Sequence, residues 1–350
     1  MDKFYLREAI RLAKKGIGKT SPNPAVGAVI VRNNRVVGKG WHKKAGLPHA
    51  EIEALAKAGR LAKGATLYVN LEPCSHYGRT PPCTEAIIRA GIHRVVCSIL
   101  DPNPLVSGIE ALQKEGIVVD VGLLAKEATE LNEPYLKYIL TKRPYVLLKI
   151  AVSLDGKITS PYQKWISCEK SRRLVHKMRA QMDAVLVGKG TIIKDDPELT
   201  VRLFKGKNPA CIILGDYIPS QSKFFRADRR VIIATTLSIQ STVYSQQSIV
   251  HSPQSAEVLV TKSKDGLVDL DDLMDKLGGM GITSILVEGG RKVITSFLKE
   301  KLVDRVVFFI SPKVIGEDGL AMTETLPLPI TFSETKTKRI GEDIMVSGKL

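Results

Sequence analysis

Five cysteines in 350 residues are too few and too scattered for a disulfide framework. That usage fits a reducing cytoplasm. No apolar run approaches the length of a membrane span. The opening Met-Asp-Lys-Phe-Tyr-Leu-Arg-Glu has no secretory apolar core and reads as an amphipathic helix. Internal repeats are absent. So is any basic tail, or basic block with interleaved aromatics. Lys and Arg outnumber Asp and Glu by 52 to 36, a formal charge of +16, but the excess is spread, with +9 on residues 1–143 and +7 on the rest. A nucleic-acid surface concentrates its charge. A phosphorylated substrate and a phosphorylated cofactor would each favour a positive pocket instead. The expectation is a cytoplasmic protein of small-molecule chemistry, with no membrane and no nucleic-acid partner. A homo-oligomer stays open.

What is present describes a globular protein, 44% apolar and 25% charged. The length favours two domains. Thr141-Lys-Arg-Pro144 is polar and ends in proline before a new apolar strand, so the expected division is 1–143 and 144–350. The first part alternates helix and strand. A helix is expected over 2–15, and a hairpin across Asn33-Asn34 joins Ala25–Arg32 to Arg35–Gly40. Helices from Glu51, Cys83, Gly108 and Lys126, with strands at Thr66–Leu71, Arg94–Leu100 and Ile117–Val121, complete a three-layer sandwich around a mostly parallel sheet. The second part restarts with Tyr145–Val152. Strands follow near residues 184, 210, 230, 257, 284 and 305, a second α/β domain.

Chemistry concentrates first at His49-Ala-Glu51 and Glu72-Pro-Cys74, the latter followed by Cys83. One His and two Cys suit Zn²⁺. A structural site would supply four ligands, so three leave a position for water. Glu51 is spared from ligation and can act as general acid–base. Both Cys are expected near helix starts, where the thiolate is favoured. Taken singly, a His-x-Glu is a common surface pair and two Cys in a loop are common packing residues. Cys97, Cys168 and Cys211 read as packing residues.

The second part offers Leu286-Val287-Glu288-Gly289-Gly290, an apolar strand running into glycines and then a helix over Lys292–Lys299. Backbone N–H groups at such a helix start can hold a pyrophosphate. This is not the dinucleotide fingerprint G-x-G-x-x-G, and a plain strand-to-helix turn reads equally well. Gly278-Gly-Met-Gly281 reads as a loop. Residues 215–256 are Ser/Gln-rich and carry no motif.

The stretch Glu72-Pro-Cys-Ser-His-Tyr-Gly-Arg-Thr-Pro-Pro-Cys83 resembles the deaminase half of the bifunctional riboflavin-biosynthesis deaminase/reductase family, RibD. Ser21 to Gly27, Gly40-Trp-His42 and Asp101 to Pro104 are similar to further motifs of that family. Ser153 to Lys157, Trp165 to Ser167, Arg172-Arg173, Gly190-Thr191 and Asp195 to Arg202 resemble its reductase half. The resemblance implies a cytidine-deaminase-like three-layer α/β/α domain followed by a dihydrofolate-reductase-like α/β domain. It implies Zn²⁺ on His49, Cys74 and Cys83, with Glu51 catalytic. Asn23, His42, His76, Arg79, Asp101 and Asn103 would hold the first substrate, a phosphorylated diaminopyrimidine that loses ammonia. NADPH would lie against Ala151, Trp165, Thr191 and Asp195, and along Gly289, Gly290, Arg291, Lys292, Val293, Ile294, Thr295 and Ser296. Arg179, Leu199, Arg202 and Glu288 would hold the sugar phosphate whose ribosyl chain is reduced to ribityl.

The chain departs from the family at several points. The segment between Gly156 and Trp165 is short, and Gln163 replaces a small Ser. Val106-Ser-Gly-Ile109 is abbreviated, and a cofactor-contacting Ser is replaced near Gly215. Two other readings remain. One is a nucleic-acid deaminase with an appended binding domain, which deamination of tRNA would reveal. The other is an active deaminase with a non-catalytic second half, which NADPH titration would reveal.

Overall fold

Alternation of small and branched apolar residues dictates the central strands, and a computed structural model describes them within residues 1–78, 80–216, 218–219, 221–236 and 256–350. The chain divides into two compact units, Met1–Lys142 and Arg143–Leu350.

In the first unit the strands are β1 (Gly27–Arg32), β2 (Arg35–Trp41), β3 (Thr66–Val69), β4 (Arg94–Cys97) and β5 (Val118–Val121), in the order β2-β1-β3-β4-β5. Side chains along a strand alternate faces. Ala28, Ile30, Leu67, Val69, Val95 and Cys97 therefore point one way, against α2 (Ala50–Ala58), α3 (Cys83–Arg89) and α4 (Gly108–Lys114). Val29, Val31, Tyr68 and Val96 point the other way, against Tyr5, Leu6, Ala9 and Leu12 of α1 (Asp2–Ala13). The helix α5 (Ala125–Thr141) follows β5 and sends Tyr135 into the first core. The sheet is mixed where a mostly parallel one is expected: β1 pairs antiparallel with both β2 and β3, and only β3-β4-β5 run parallel. The Asn33-Asn34 hairpin, with both residues at positive φ, joins β1 to β2 as expected; the difference lies in the antiparallel pairing of β1 with β3.

The second unit holds a nine-stranded sheet. Its strands are β6 (Tyr145–Ser153), β7 (Ala184–Gly188), β8 (Ala210–Leu214), β9 (Val231–Thr235), β10 (Ala256–Val260), β13 (Ser284–Gly289), β14 (Arg305–Ser311), β15 (Ser333–Ile340) and β16 (Asp343–Lys349), with β11 (Ser263–Lys264) and β12 (Leu267–Val268) forming a separate ribbon. The order is β10-β9-β8-β7-β13-β6-β14-β16-β15. From β10 to β14 every pairing is parallel, and the central strands, covered on both faces, are mostly apolar, with Lys149 on β6 and Glu288 on β13 as exceptions. Val146, Leu148, Ile150, Leu186 and Val287 pack with Leu273, Leu277 and Phe297 on one face. On the other face Val185, Val187 and Ile213 pack with Ile192 and Phe224. Helices α6 (Glu169–Gln181), α7 (Lys189–Asp195), Leu270–Gly279 and Arg291–Lys299 make the crossovers.

The C-terminal hairpin β15–β16 is not expected from the sequence, because β15 is solvent-exposed along most of its length and carries no apolar alternation. Gly278 and Gly279 close a helix, and only Gly281, at φ +77°, makes the turn read there as a loop. Of the segment 215–256, half lies outside the described residues. Among the described residues no helix is long and apolar enough to cross a membrane.

Candidate active sites

Close approach of α2 to the sheet places the first site. A Cβ on Gly40 would lie 2.2 Å from the Ala50 carbonyl oxygen, so only glycine lets the helix start press onto β2. His49 is the N-cap of α2 and Glu51 sits in its first turn. Cys83 opens α3, whereas Cys74 lies in the loop after β3 and not at a helix start as expected. The start of α3 nonetheless reaches it. The Cys83 N–H points to Cys74 Sγ at 3.4 Å, and the Thr84 N–H donates to the Cys74 carbonyl at 3.2 Å. His49 Nδ1 is 3.5 Å from Cys74 Sγ and 3.3 Å from Cys83 Sγ. The three ligand atoms all lie within 4.8 Å of one another.

The electrostatics fit a cation. The thiol of Cys83 donates to Cys74, and with help from His49 this holds Cys74 down to about 4 against its burial. The same neighbour, now a thiolate, together with burial pushes Cys83 far up. The pair thus keeps one proton between two sulfurs, and a divalent ion stabilises both as thiolates. Burial pushes the Glu51 carboxyl up to about 7. Glu51 is 3% exposed, and its Oε2 has no hydrogen-bond partner among the described residues. A buried acceptor left alone in that way requires a water or an ion. His49, Cys74 and Cys83 therefore fit Zn²⁺, with Glu51 beside it.

A cavity of about 350 Å³ opens over this cluster and is lined by Asn23, His42, His76, Asp101 and Asn103 besides His49, Glu51 and Cys74. Arg79 lies outside the described residues. His42 is buried, and burial lowers its pKa. Its Nδ1–H donates to the Pro48 carbonyl at 3.2 Å, and its Nε2 accepts from the Asn23 amide at 3.2 Å. Both nitrogens are spent on the protein, so His42 fixes the segment entering His49 and orients Asn23. Three residues here carry no assignment from the sequence. Tyr135 donates its hydroxyl to Asp101 at 2.8 Å. Glu72 accepts the Asp101 N–H at 3.1 Å and the Ile109 N–H at 2.9 Å, tying the abbreviated Val106–Ile109 loop to the metal loop. Thr80 Oγ1 lies 3.4 Å from His49 Nε2. The signal for Tyr135 is helical spacing, since Ala128, Asn132 and Tyr135 share the buried face of α5.

The second site is a cavity of about 640 Å³ at the carboxyl ends of β6, β7, β8, β9 and β13. Ala151, Thr191, Asp195, Glu288, Gly290, Arg291, Lys292, Val293, Ile294 and Ser296 line it. Gly289, Thr295, Trp165, Arg179, Leu199 and Arg202 do not. Thr295 is buried and accepts the Glu324 N–H at 2.9 Å, a packing role. Trp165 is 47% exposed, and Lys313 donates to its carbonyl at 3.3 Å and to Gln163 at 3.2 Å. Gly290 caps the helix that follows β13, and the N–H groups of its first turn are available to an anion.

Glu288 is the electrostatic centre. Arg179 donates to it from Nε at 2.5 Å and from Nη2 at 3.0 Å, and Lys149 Nζ lies 3.5 Å away. Burial would raise this carboxyl, but Arg179 and Lys149 outweigh it and hold the group down to about 2. Lys149, unassigned from the sequence, lines the cavity, and burial lowers its pKa. Arg179 also donates to the Thr200 carbonyl at 3.0 Å, so its donors are engaged inside the protein. Arg229 donates to the carbonyls of Leu199 at 2.7 Å and Glu198 at 2.6 Å. That holds Leu199 at φ +53°. Arg202 stays on the surface beside Glu198.

Glu288→Gln is expected to lower stability by about 3–5 kcal/mol, because Arg179 and Lys149 are left buried without their counter-charge. Urea unfolding at neutral pH measures this; an unchanged midpoint refutes it. The same pairing sets a pH dependence. The folded carboxyl at about 2 lies below its ordinary 4.5, so the stabilisation is complete above 4.5 and is lost as pH falls towards 2.

Residues 1–99 match the cytidine and deoxycytidylate deaminase zinc-binding region, and residues 144–346 match the RibD C-terminal domain. The riboflavin biosynthesis protein RibD of Aquifex aeolicus is 44% identical over 99% of this chain and 98% of its own. The chain belongs to the RibD family. The Escherichia coli RibD is 41% identical over 93% of this chain and 91% of its own. A solved structure from Thermotoga maritima, a diaminohydroxyphosphoribosylaminopyrimidine deaminase/5-amino-6-(5-phosphoribosylamino)uracil reductase, superposes with a TM-score of 0.88. It is 37% identical and covers 99% of this chain and 98% of its own. The architecture of this RibD chain is accordingly a cytidine-deaminase-like unit followed by a RibD reductase unit. Its cofactors are Zn²⁺ and NADPH.

Proposed function

We infer that this RibD chain carries out two successive steps of riboflavin biosynthesis. The substrate is 2,5-diamino-6-ribosylamino-4(3H)-pyrimidinone 5′-phosphate. The first unit deaminates it, and the second reduces the ribosyl chain to ribityl, giving 5-amino-6-ribitylamino-uracil 5′-phosphate. The observation that carries this is the coexistence of the two sites: a His49–Cys74–Cys83 cluster beside an unpartnered Glu51, and a second cavity over the Gly290 helix start.

When bound, Zn²⁺ activates water as a Lewis acid and NADPH supplies hydride. The chain's own residues do the rest. Glu51 Oε2 takes a proton from the attacking water and returns it to the departing amine. Asn23, His76, Asp101 and Asn103 hold the base and sugar phosphate, with Arg79 beside them in sequence, while His42, Glu72 and Tyr135 keep them in place. In the second cavity the N–H groups of the first turn after Gly290 bind the pyrophosphate, with Arg291 to Ile294 and Ser296 lining the cavity and Thr295 packed behind them. Ala151, Thr191 and Asp195 position the rest of the dinucleotide, with Trp165 at its edge. Lys149 Nζ holds a proton for the ring oxygen released when the ribosyl opens, and Glu288 keeps that ammonium charged and oriented. Arg202 meets the sugar phosphate, and Arg179 with Leu199 supports the loop that carries it. The boundary between activities falls at 143/144. The protein works in the cytoplasm, with no nucleic-acid or membrane partner, and its five unpaired cysteines suit that compartment.

The purified full chain should release ammonia from the diaminopyrimidine phosphate and then consume NADPH. Ammonia release without NADPH consumption defeats the reductase reading. Deamination of tRNA in place of the free nucleotide defeats the whole. In steady state NADPH should outperform NADH, and equal use of the two refutes the cofactor choice.

A further inference from the structure

We propose that Lys189 selects the phosphorylated dinucleotide, its ammonium meeting the 2′-phosphate of the adenosine ribose while Asp216 holds the side chain in place. This rests on the reading of the second cavity as a nicotinamide dinucleotide site. The cavity runs along the carboxyl ends of the parallel strands. Lys149 and Glu288, on β6 and β13, mark the reacting end. Gly290, at the helix start after β13, marks the pyrophosphate. In the sheet order β13-β7-β8, strand β8 lies two strand spacings further on, roughly 10 Å. An extended dinucleotide with its nicotinamide towards β6 and its pyrophosphate at Gly290 carries its adenosine ribose there.

The residues at that place are unusual in combination. In dinucleotide folds an acidic residue past a strand end takes the ribose hydroxyls, and a nearby cation accommodates a 2′-phosphate. Here both occur and are paired: Asp216 follows the end of β8, Lys189 opens α7 after β7, and they form an ion pair that lines the cavity. A carboxylate alone would favour the free diol of NADH. Paired with Lys189 it is neutralised, and the ammonium keeps further N–H donors for a phosphate.

The backbone is shaped around the lysine stem. Gly215 sits at φ +147°, and a Cβ there would lie 2.7–2.9 Å from Cβ, Cγ and Cδ of Lys189. The stem crosses the glycine, and any larger residue would push it aside. The other cations lining the cavity stand elsewhere. Arg291 and Lys292 belong to the helix start beyond Gly290, and Lys194 to the far end of α7, beside Asp195.

The test uses the zinc-loaded full chain and calorimetric titration with adenosine 2′,5′-bisphosphate and with AMP, which differ only in the 2′-phosphate. The unaltered protein should bind the bisphosphate more tightly. Lys189→Met should weaken the bisphosphate by about tenfold or more, the scale of one charge-assisted hydrogen bond, and leave AMP unchanged. Lys189→Arg should retain most of the preference. An unchanged ratio in Lys189→Met overturns the proposal. So does an equal loss of both ligands with an unchanged thermal melt. If the unaltered protein does not distinguish the two ligands, the dinucleotide reading of the cavity fails first and this inference falls with it.

Discussion

Cys83→Ala is expected to lose zinc and deamination together while the reductase step survives. Cys83 is fully buried at the first position of α3, and its sulfur faces both other ligand atoms. Removing it leaves two ligands, Cys74 and His49. Loss of an outer-shell partner alone typically weakens metal binding by roughly 10–100-fold, and loss of a direct ligand should exceed that. Elemental analysis of the purified variant reads the metal, ammonia release reads the first step, and NADPH consumption on the deaminated intermediate reads the second. One zinc per chain in Cys83→Ala refutes the ligand assignment. Loss of both activities with a normal melt refutes the allotment of one chemistry to each unit.

The first site was legible because its chemistry is local in sequence. His49 and Glu51 share a helix start, and Cys74 and Cys83 flank one loop, so four residues on two short segments define it. The parallel strands of the second unit were legible too, being continuous apolar runs. What stayed hidden depends on distance. Tyr135 reaches Asp101 across 34 positions, Glu72 reaches Asp101 and Ile109 across 29 and 37, and Arg179 reaches Glu288 across 109. No spacing rule links such pairs; the fold alone joins them. For the same reason Arg179 reads from the sequence as a substrate contact, whereas in the fold its guanidinium is committed to Glu288 and Thr200. The antiparallel pairing of β1 with β3 escaped for another reason: the β1–β2 hairpin is set by a local turn, whereas the direction of β3 beside β1 depends on which neighbour the fold gives it. The hairpin β15–β16 escaped because an exposed strand needs no apolar alternation.

Glu51→Gln should keep full zinc and lose deamination by on the order of 10²–10⁴-fold, the contribution of a positioned general acid–base group. The amide preserves the shape of the carboxylate and stays in the first turn of α2, so the cluster of His49, Cys74 and Cys83 is undisturbed. What it removes is the proton-accepting oxygen. In the folded chain Glu51 Oε2 is buried with no hydrogen-bond partner among the described residues, although buried polar atoms are nearly always paired. Such an atom costs stability unless it is used, and its place beside the three ligand atoms gives it a use in moving a proton. A structural role for Glu51 predicts a different result: the amide would shift the melt and leave turnover near normal. The two are separated by measuring zinc content, melting temperature and deamination rate on one preparation. Near-normal turnover excludes the acid–base role. Loss of zinc in Glu51→Gln would instead make Glu51 a ligand and require the three-ligand site to be redrawn.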